Sequence, residues 1–148
     1  MSTPLWINYL TQFVVAVVAT ISFGITFHVP KRHYLAGGLT GAVGWMVYIF
    51  GVELFALSPA IATLVATLPL TGCARFFAIR HKAPVTMFLL PGIFPLVPGA
   101  GIYYTAYYFI QNENALALAK GISTFKIAVA LAIGISLVLC VPLPKKRK

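Results

Sequence analysis

The chain has 148 residues, of which 60% are apolar and only 9% charged, and it carries a formal net charge of +9. A typical soluble domain is about 25% charged, so this chain cannot give most of its elements the polar face that a water-soluble fold requires. Its basic residues lie in short clusters between long apolar runs, without the aromatic–basic interleaving of nucleic-acid binders, which argues against an RNA or DNA partner.

A helix needs about 20 apolar residues to cross the hydrocarbon core. The first such run is Leu5–Phe27. It is longer than the apolar region of a signal peptide, and Met1–Asn8 holds no basic residue, so a retained helix is expected. His28, Lys31, Arg32 and His33 follow in a basic turn whose spacing suggests no metal cage. The second run, Leu35–Phe55, carries Gly37, Gly41, Gly44 and Gly51 at about the spacing of one helical face. Such a face admits a neighbouring backbone closely. That neighbour is either another helix of this chain or a second copy in a homo-oligomer, and the pattern leaves both open.

The third run, Pro59–Ile79, holds Arg75 near its end, where a long stem reaching to the membrane surface is the easiest reading. Arg80, His81 and Lys82 come next. The fourth, Val85–Ile110, is interrupted: Pro84–Gly101 reads PVTMFLLPGIFPLVPGAG. Proline lacks an amide hydrogen and clashes with the preceding turn, so no continuous α-helix is expected here. Irregular backbone at membrane depth is tolerated only when buried in protein or facing a water-filled cavity. Transporters use such breaks to present backbone groups to a solute. Prolines at 84, 91, 95 and 98 exceed what one structural kink needs, which favours a functional break over a merely shaped one.

The fifth run is Ala115–Val141, with Lys126 about three turns from its start. Lysines inside a span are costly and usually face protein or water. Ala130 and Gly134 follow at i+4 and i+8, so this face is expected to pack inward. Lys126 then either attracts an anionic or zwitterionic solute, takes part in proton coupling, or simply reaches toward the membrane surface; all three stay open. Trp6, Tyr9, Tyr34, Tyr48 and Tyr103–Tyr108 fall near the span ends, as interfacial aromatic belts do. Cys73 and Cys140 lie within apolar runs and read as small apolar side chains.

The expected fold is thus an all-α, polytopic transmembrane helical bundle of about five segments with a Pro/Gly-broken fourth, forming one domain over residues 1–148. Lys31, Arg32, Arg80, Lys82 and the tail residues Lys145, Lys146, Arg147 and Lys148 then share one side. Positive residues accumulate in the cytoplasm, which puts the C-terminus inside and the N-terminus outside. The sequence has no aspartate, no nucleophile paired with a base and no phosphate loop. Neither an enzyme nor a cofactor or metal site is expected. Energy for any transport must come from an ion gradient, a solute gradient or a partner.

Three stretches carry a family resemblance: FHVPKRHYLAGGLTGAVGW (Phe27–Trp45), ARFFAIRHKAP (Ala74–Pro84) and, most strongly, PGIFPLVPGAGIYYT (Pro91–Thr105). Across nearly its whole length the sequence resembles the short, YjjB-like membrane subunit of the threonine/serine exporter family. The resemblance implies a bacterial cell-membrane secondary exporter of small amino or organic acids, working with a larger exporter-family membrane subunit. On it, Pro91, Gly92, Pro95, Pro98, Gly99 and Tyr103 are expected to shape the substrate pathway; Lys126 joins them on the charge argument alone. The competing expectation is a structural or assembly subunit that transports nothing.

Overall fold

The computed structural model describes residues 5–142. The tail cations Lys145, Lys146, Arg147 and Lys148 lie outside the described residues. Six α-helices follow one another: α1 Leu5–Thr26, α2 Tyr34–Glu53, α3 Pro59–His81, α4 Thr86–Ile93, α5 Gly99–Ile110 and α6 Asn114–Cys140. Single 3₁₀ turns precede α2 at Lys31–His33 and separate α4 from α5 at Phe94–Leu96, and no strand occurs among the described residues.

With 22, 20, 23 and 27 residues, α1, α2, α3 and α6 are each long enough to cross the hydrocarbon core. α4 and α5 are too short singly, but together they make a broken span bent by 52°. The protein is therefore an all-helical, multi-pass membrane protein, and the expected fourth segment is the one that breaks. The position of the break is sharper than expected. Pro91 is accommodated within α4 and Pro95 within the 3₁₀ turn. Val97 is the residue that turns extended, with φ −64° and ψ 129°. It precedes Pro98, whose ring disfavours helical backbone in its neighbour, and α5 starts immediately afterwards.

The connections are tight. His28, Ala56, Lys82 and Asn112 all have positive φ, between 48° and 61°. Each closes a loop with a left-handed residue, the role more often given to glycine.

Small residues set the packing of the bundle. α2 lies at its centre, against α1, α3 and α4. A side chain added at Gly41 would collide with Thr20 of α1, and one at Gly44 with Leu70 of α3. At Gly51 it would press on Ala62 of α3 at 3.3 Å, whereas Gly37, though buried, has open space beside it. The contacts made by Gly41, Gly44 and Gly51 are thus with helices of the same chain. The core they surround is formed by Ala36, Ala66, Leu70, Ala74, Phe88 and Leu96. Thr20 and Thr40, fully buried, donate their hydroxyls to Ala16 O at 2.8 Å and Ala36 O at 2.9 Å, which satisfies these donors within their own helices.

α6 is shared between two partners. From Lys126 onward it lies along α3: Gly134 receives Thr67, and Arg75 reaches Val138 and Val141. Its first half pairs with α5, Gly101 facing Thr124 and Gly121 facing Thr105. α5 buries no residue fully, so the α5–α6 hairpin is far more open than the bundle.

Candidate functional site

The broken element lies against α1, and two clefts open along that seam. The first, of about 170 Å³, is lined by Phe27, His28 and Val29 from the end of α1 and by Thr86, Leu90 and Pro91 of α4. The second, of about 160 Å³, is lined by Gln12, Val15, Ala16 and Ala19 of α1, Trp45 of α2 and Pro95. Three aromatic rings pack together where α1 meets the 3₁₀ turn. Phe94, in the 3₁₀ turn, stacks on Phe23 with ring centroids 4.2 Å apart and tilts against Phe27 at 5.3 Å.

The second cleft contains a polar pair at membrane depth. Trp45 Nε1 donates to Gln12 Oε1 at 3.1 Å. That bond uses the amide oxygen and leaves the amide N–H₂ with no acceptor among the described residues. Trp45 also stacks on Tyr48, with centroids 5.5 Å apart.

The expected pathway residues divide into three groups. Pro91 and Gly92 are buried in the bundle, Gly92 against Thr40 of α2, where an added Cβ would lie 3.1 Å from its methyl. Pro95 lines the Gln12 cleft. Pro98 opens a separate apolar groove between α5 and α6 with Ile102, Phe109 and Phe125. Gly99 is exposed, and Tyr103 is 62% exposed, stacked on Tyr107 along the outer face of α5. Lys126 belongs to neither cleft. It lies in a groove between α3 and α6 beside Ala60, Ile61 and Leu64.

Two cations sit differently from the sequence expectation. Lys126 is exposed instead of packed inward. Gly134, two turns further on, does face α3, but Lys126 comes level with the first turns of α3, where that helix is only beginning. Arg75, expected to reach for the membrane surface, is instead buried. Its guanidinium donates to the carbonyls of Val138, in the last turn of α6, and Val141, just past its end. A cation at a helix C-terminus also meets the negative end of the helix dipole.

At the basic end, outside the spanning helices, His33 is 1% exposed. Arg32 Nε donates to its Nε2 at 2.9 Å, while Nδ1 has no partner. Its ring meets His81 and Phe88 edge-on at 5.1 and 5.4 Å. Burial, followed by the charges of Arg32 and His81, holds its pKa below the ordinary 6.5.

The proline motif marks the element that the structure breaks, and the Gln12–Trp45 pair was not anticipated from the sequence. The available signal was Gln12, an amide within the first apolar run, together with Trp45, which lies away from any span end.

A sequence profile of the family described as "Threonine/Serine exporter, ThrE" matches residues 12–141. A curated relative from Mycobacterium tuberculosis, described as a probable threonine/serine exporter, is 25% identical over 99 residues. The match covers 67% of this chain and 18% of that protein. No solved structure matches the chain.

Proposed function

The chain belongs to the threonine/serine exporter family, and on that premise we propose that it is a membrane subunit of a secondary exporter of small amino or organic acids. In this reading it forms one domain of a complex in a bacterial cell membrane and works with a larger family subunit. Its N-terminus is outside and its C-terminus cytoplasmic, following the placement of Lys31, Arg32, Arg80 and Lys82. Pro91, Gly92, Pro95, Pro98, Gly99 and Tyr103 shape the pathway, and Lys126 supplies a cation on the face where a partner or solute arrives.

The observation that carries the proposal is the broken α4–α5 element, its backbone irregular from Phe94 to Pro98 and its buried half flanked by two clefts. Irregular backbone at this depth is expensive in lipid and is characteristic of solute pathways. An exporter driven by a gradient also accords with a sequence that has no phosphate loop.

Efflux of radiolabelled serine and threonine from cells tests the proposal. Cells holding both subunits are expected to export faster than cells holding this chain alone or neither; equal efflux in all three overturns it for these solutes. Substitution of Pro95 separates transport from assembly. Lost flux with an intact complex supports the pathway role, whereas a dissociated complex supports an assembly subunit.

A further inference from the structure

We propose that the cleft between α1 and the broken element, built around Gln12 and Trp45, is the solute-binding site, with Phe23 and Phe94 forming the constriction on one side of it. This deepens the exporter reading and rests on it.

Size is the first argument. The cleft holds about 160 Å³, and a cavity of about 150 Å³ takes a molecule of benzene's size. A solute of roughly six to eight heavy atoms fits within it. Chemistry is the second. The Gln12 amide oxygen is engaged by the Trp45 indole, which fixes the orientation of the group and leaves its two N–H donors for a ligand oxygen. A carboxylate oxygen is the acceptor such donors favour. The indole, stacked on Tyr48, lines the same cleft and offers a π-surface that attracts an ammonium group. Carboxylate on one side and ammonium on the other describes a small zwitterion.

Placement is the third argument. Phe94 belongs to the segment that breaks, next in sequence to Pro95 of this cleft, and it stacks on Phe23 and tilts against Phe27, which lines the other cleft. A small reorientation of the 3₁₀ turn at Phe94–Leu96 unstacks these rings and joins the two clefts. Gln12 selects the solute, and Phe94 controls its passage.

The test uses the complete two-subunit complex in cells, with labelled serine and threonine, together with a binding measurement on the purified chain. In a Trp6→Phe background Trp45 is the remaining tryptophan, so its fluorescence reports the cleft. Serine or threonine is expected to shift Trp45 emission saturably, and Gln12→Leu to weaken that response and raise the KM of efflux about tenfold, the size expected for one lost hydrogen-bonding group. Phe94→Ala is expected to speed solute exchange without a gradient while leaving KM unchanged.

Normal efflux with an unchanged KM and an unchanged Trp45 response in Gln12→Leu overturns the site while the exporter reading stands. If efflux is absent but Trp45 still responds to serine or threonine, and Gln12→Leu abolishes that response, the site is supported and the exporter reading fails. Absence of both efflux and a Trp45 response overturns the two together. Should Gln12→Leu misassemble, Trp45→Phe, which frees the Gln12 amide from its fixed orientation, is expected to raise KM as well; an unchanged KM there counts against the site.

Discussion

The bundle of α1–α4 and the hairpin of α5 and α6 are built from the same apolar alphabet, yet they pack in opposite ways. In the bundle, glycines and alanines draw helices close enough that Gly41 and Gly44 have no room for a side chain. The interior is alanine, leucine, phenylalanine and threonine, with Thr20, Thr40, Thr63 and Thr67 bonded to carbonyls of their own helices. The hairpin carries Tyr103, Tyr104, Tyr107 and Tyr108 on α5 and buries no α5 residue fully. Lipid tails are as apolar as leucine, so apolar character alone does not bring membrane helices together; close backbone approach and polar contacts do. The bundle has both on several sides of each helix, whereas the hairpin has its close approaches, Gly101 to Thr124 and Gly121 to Thr105, along one seam.

Substitutions at the joint between the two regions should have the largest effect. Arg75→Met removes two charge-assisted hydrogen bonds that fasten α6 to α3. It is expected to lower the stability of the purified protein by about 3 kcal/mol, measured as loss of helical circular dichroism on heating in mild detergent. Retained stability would show that packing at Gly134 alone holds α6.

Within the bundle, Gly44→Val forces a side chain onto Leu70 and should cost about 2 kcal/mol by overpacking. Gly37→Ala, with open space beside it, should instead gain about 0.5–1 kcal/mol from the better helix former. If both destabilise equally, the fine geometry of the glycine face is not what matters.

A smaller effect follows from His33. Its folded pKa lies below the ordinary 6.5, so the unfolded chain takes up the proton first as pH falls. Stability contributed by this group is full above the ordinary value and declines as pH drops through it. Melting at about pH 7.5 and about pH 5.5 should therefore differ, and His33→Phe should reduce that difference. Lys31, Arg32, His28, Arg80, His81 and Lys82 are the charged or titratable groups on this end, and of these Arg32 and His81 favour the neutral ring. The smallest effect is expected in the hairpin. Ile110→Ala, at a residue 78% exposed, should leave stability of the isolated chain within about 0.5 kcal/mol.

Much of this fold was legible in the sequence because membrane spans obey length and hydropathy, and prolines announce a break. The five segments, their ends to within a few residues and the interrupted fourth follow from those rules. What eluded them depends on relative register. Arg75 looked like a surface-seeking cation because nothing in its own helix indicates that the last turn of α6 comes alongside. Lys126 looked inward because Gly134 does face α3, while only the offset between the two helices reveals that α3 begins beside Lys126. Gln12 and Trp45 are 33 residues apart, and neither is marked until α1 and α2 are placed against each other.

The way α6 is divided has a mechanical consequence. It is about 40 Å long at 1.5 Å per residue; from Lys126 to its end it is held along α3, and its first 12 residues, about 18 Å, pair with α5. A swing of that half by about 5° moves its end by roughly 1.5 Å. Because α5 continues directly into Pro98 and Val97, that sway is applied at the backbone break itself, next to the ring of Phe94. Whatever grips the open hairpin thereby acts on the backbone beside Phe94, some distance from where it binds.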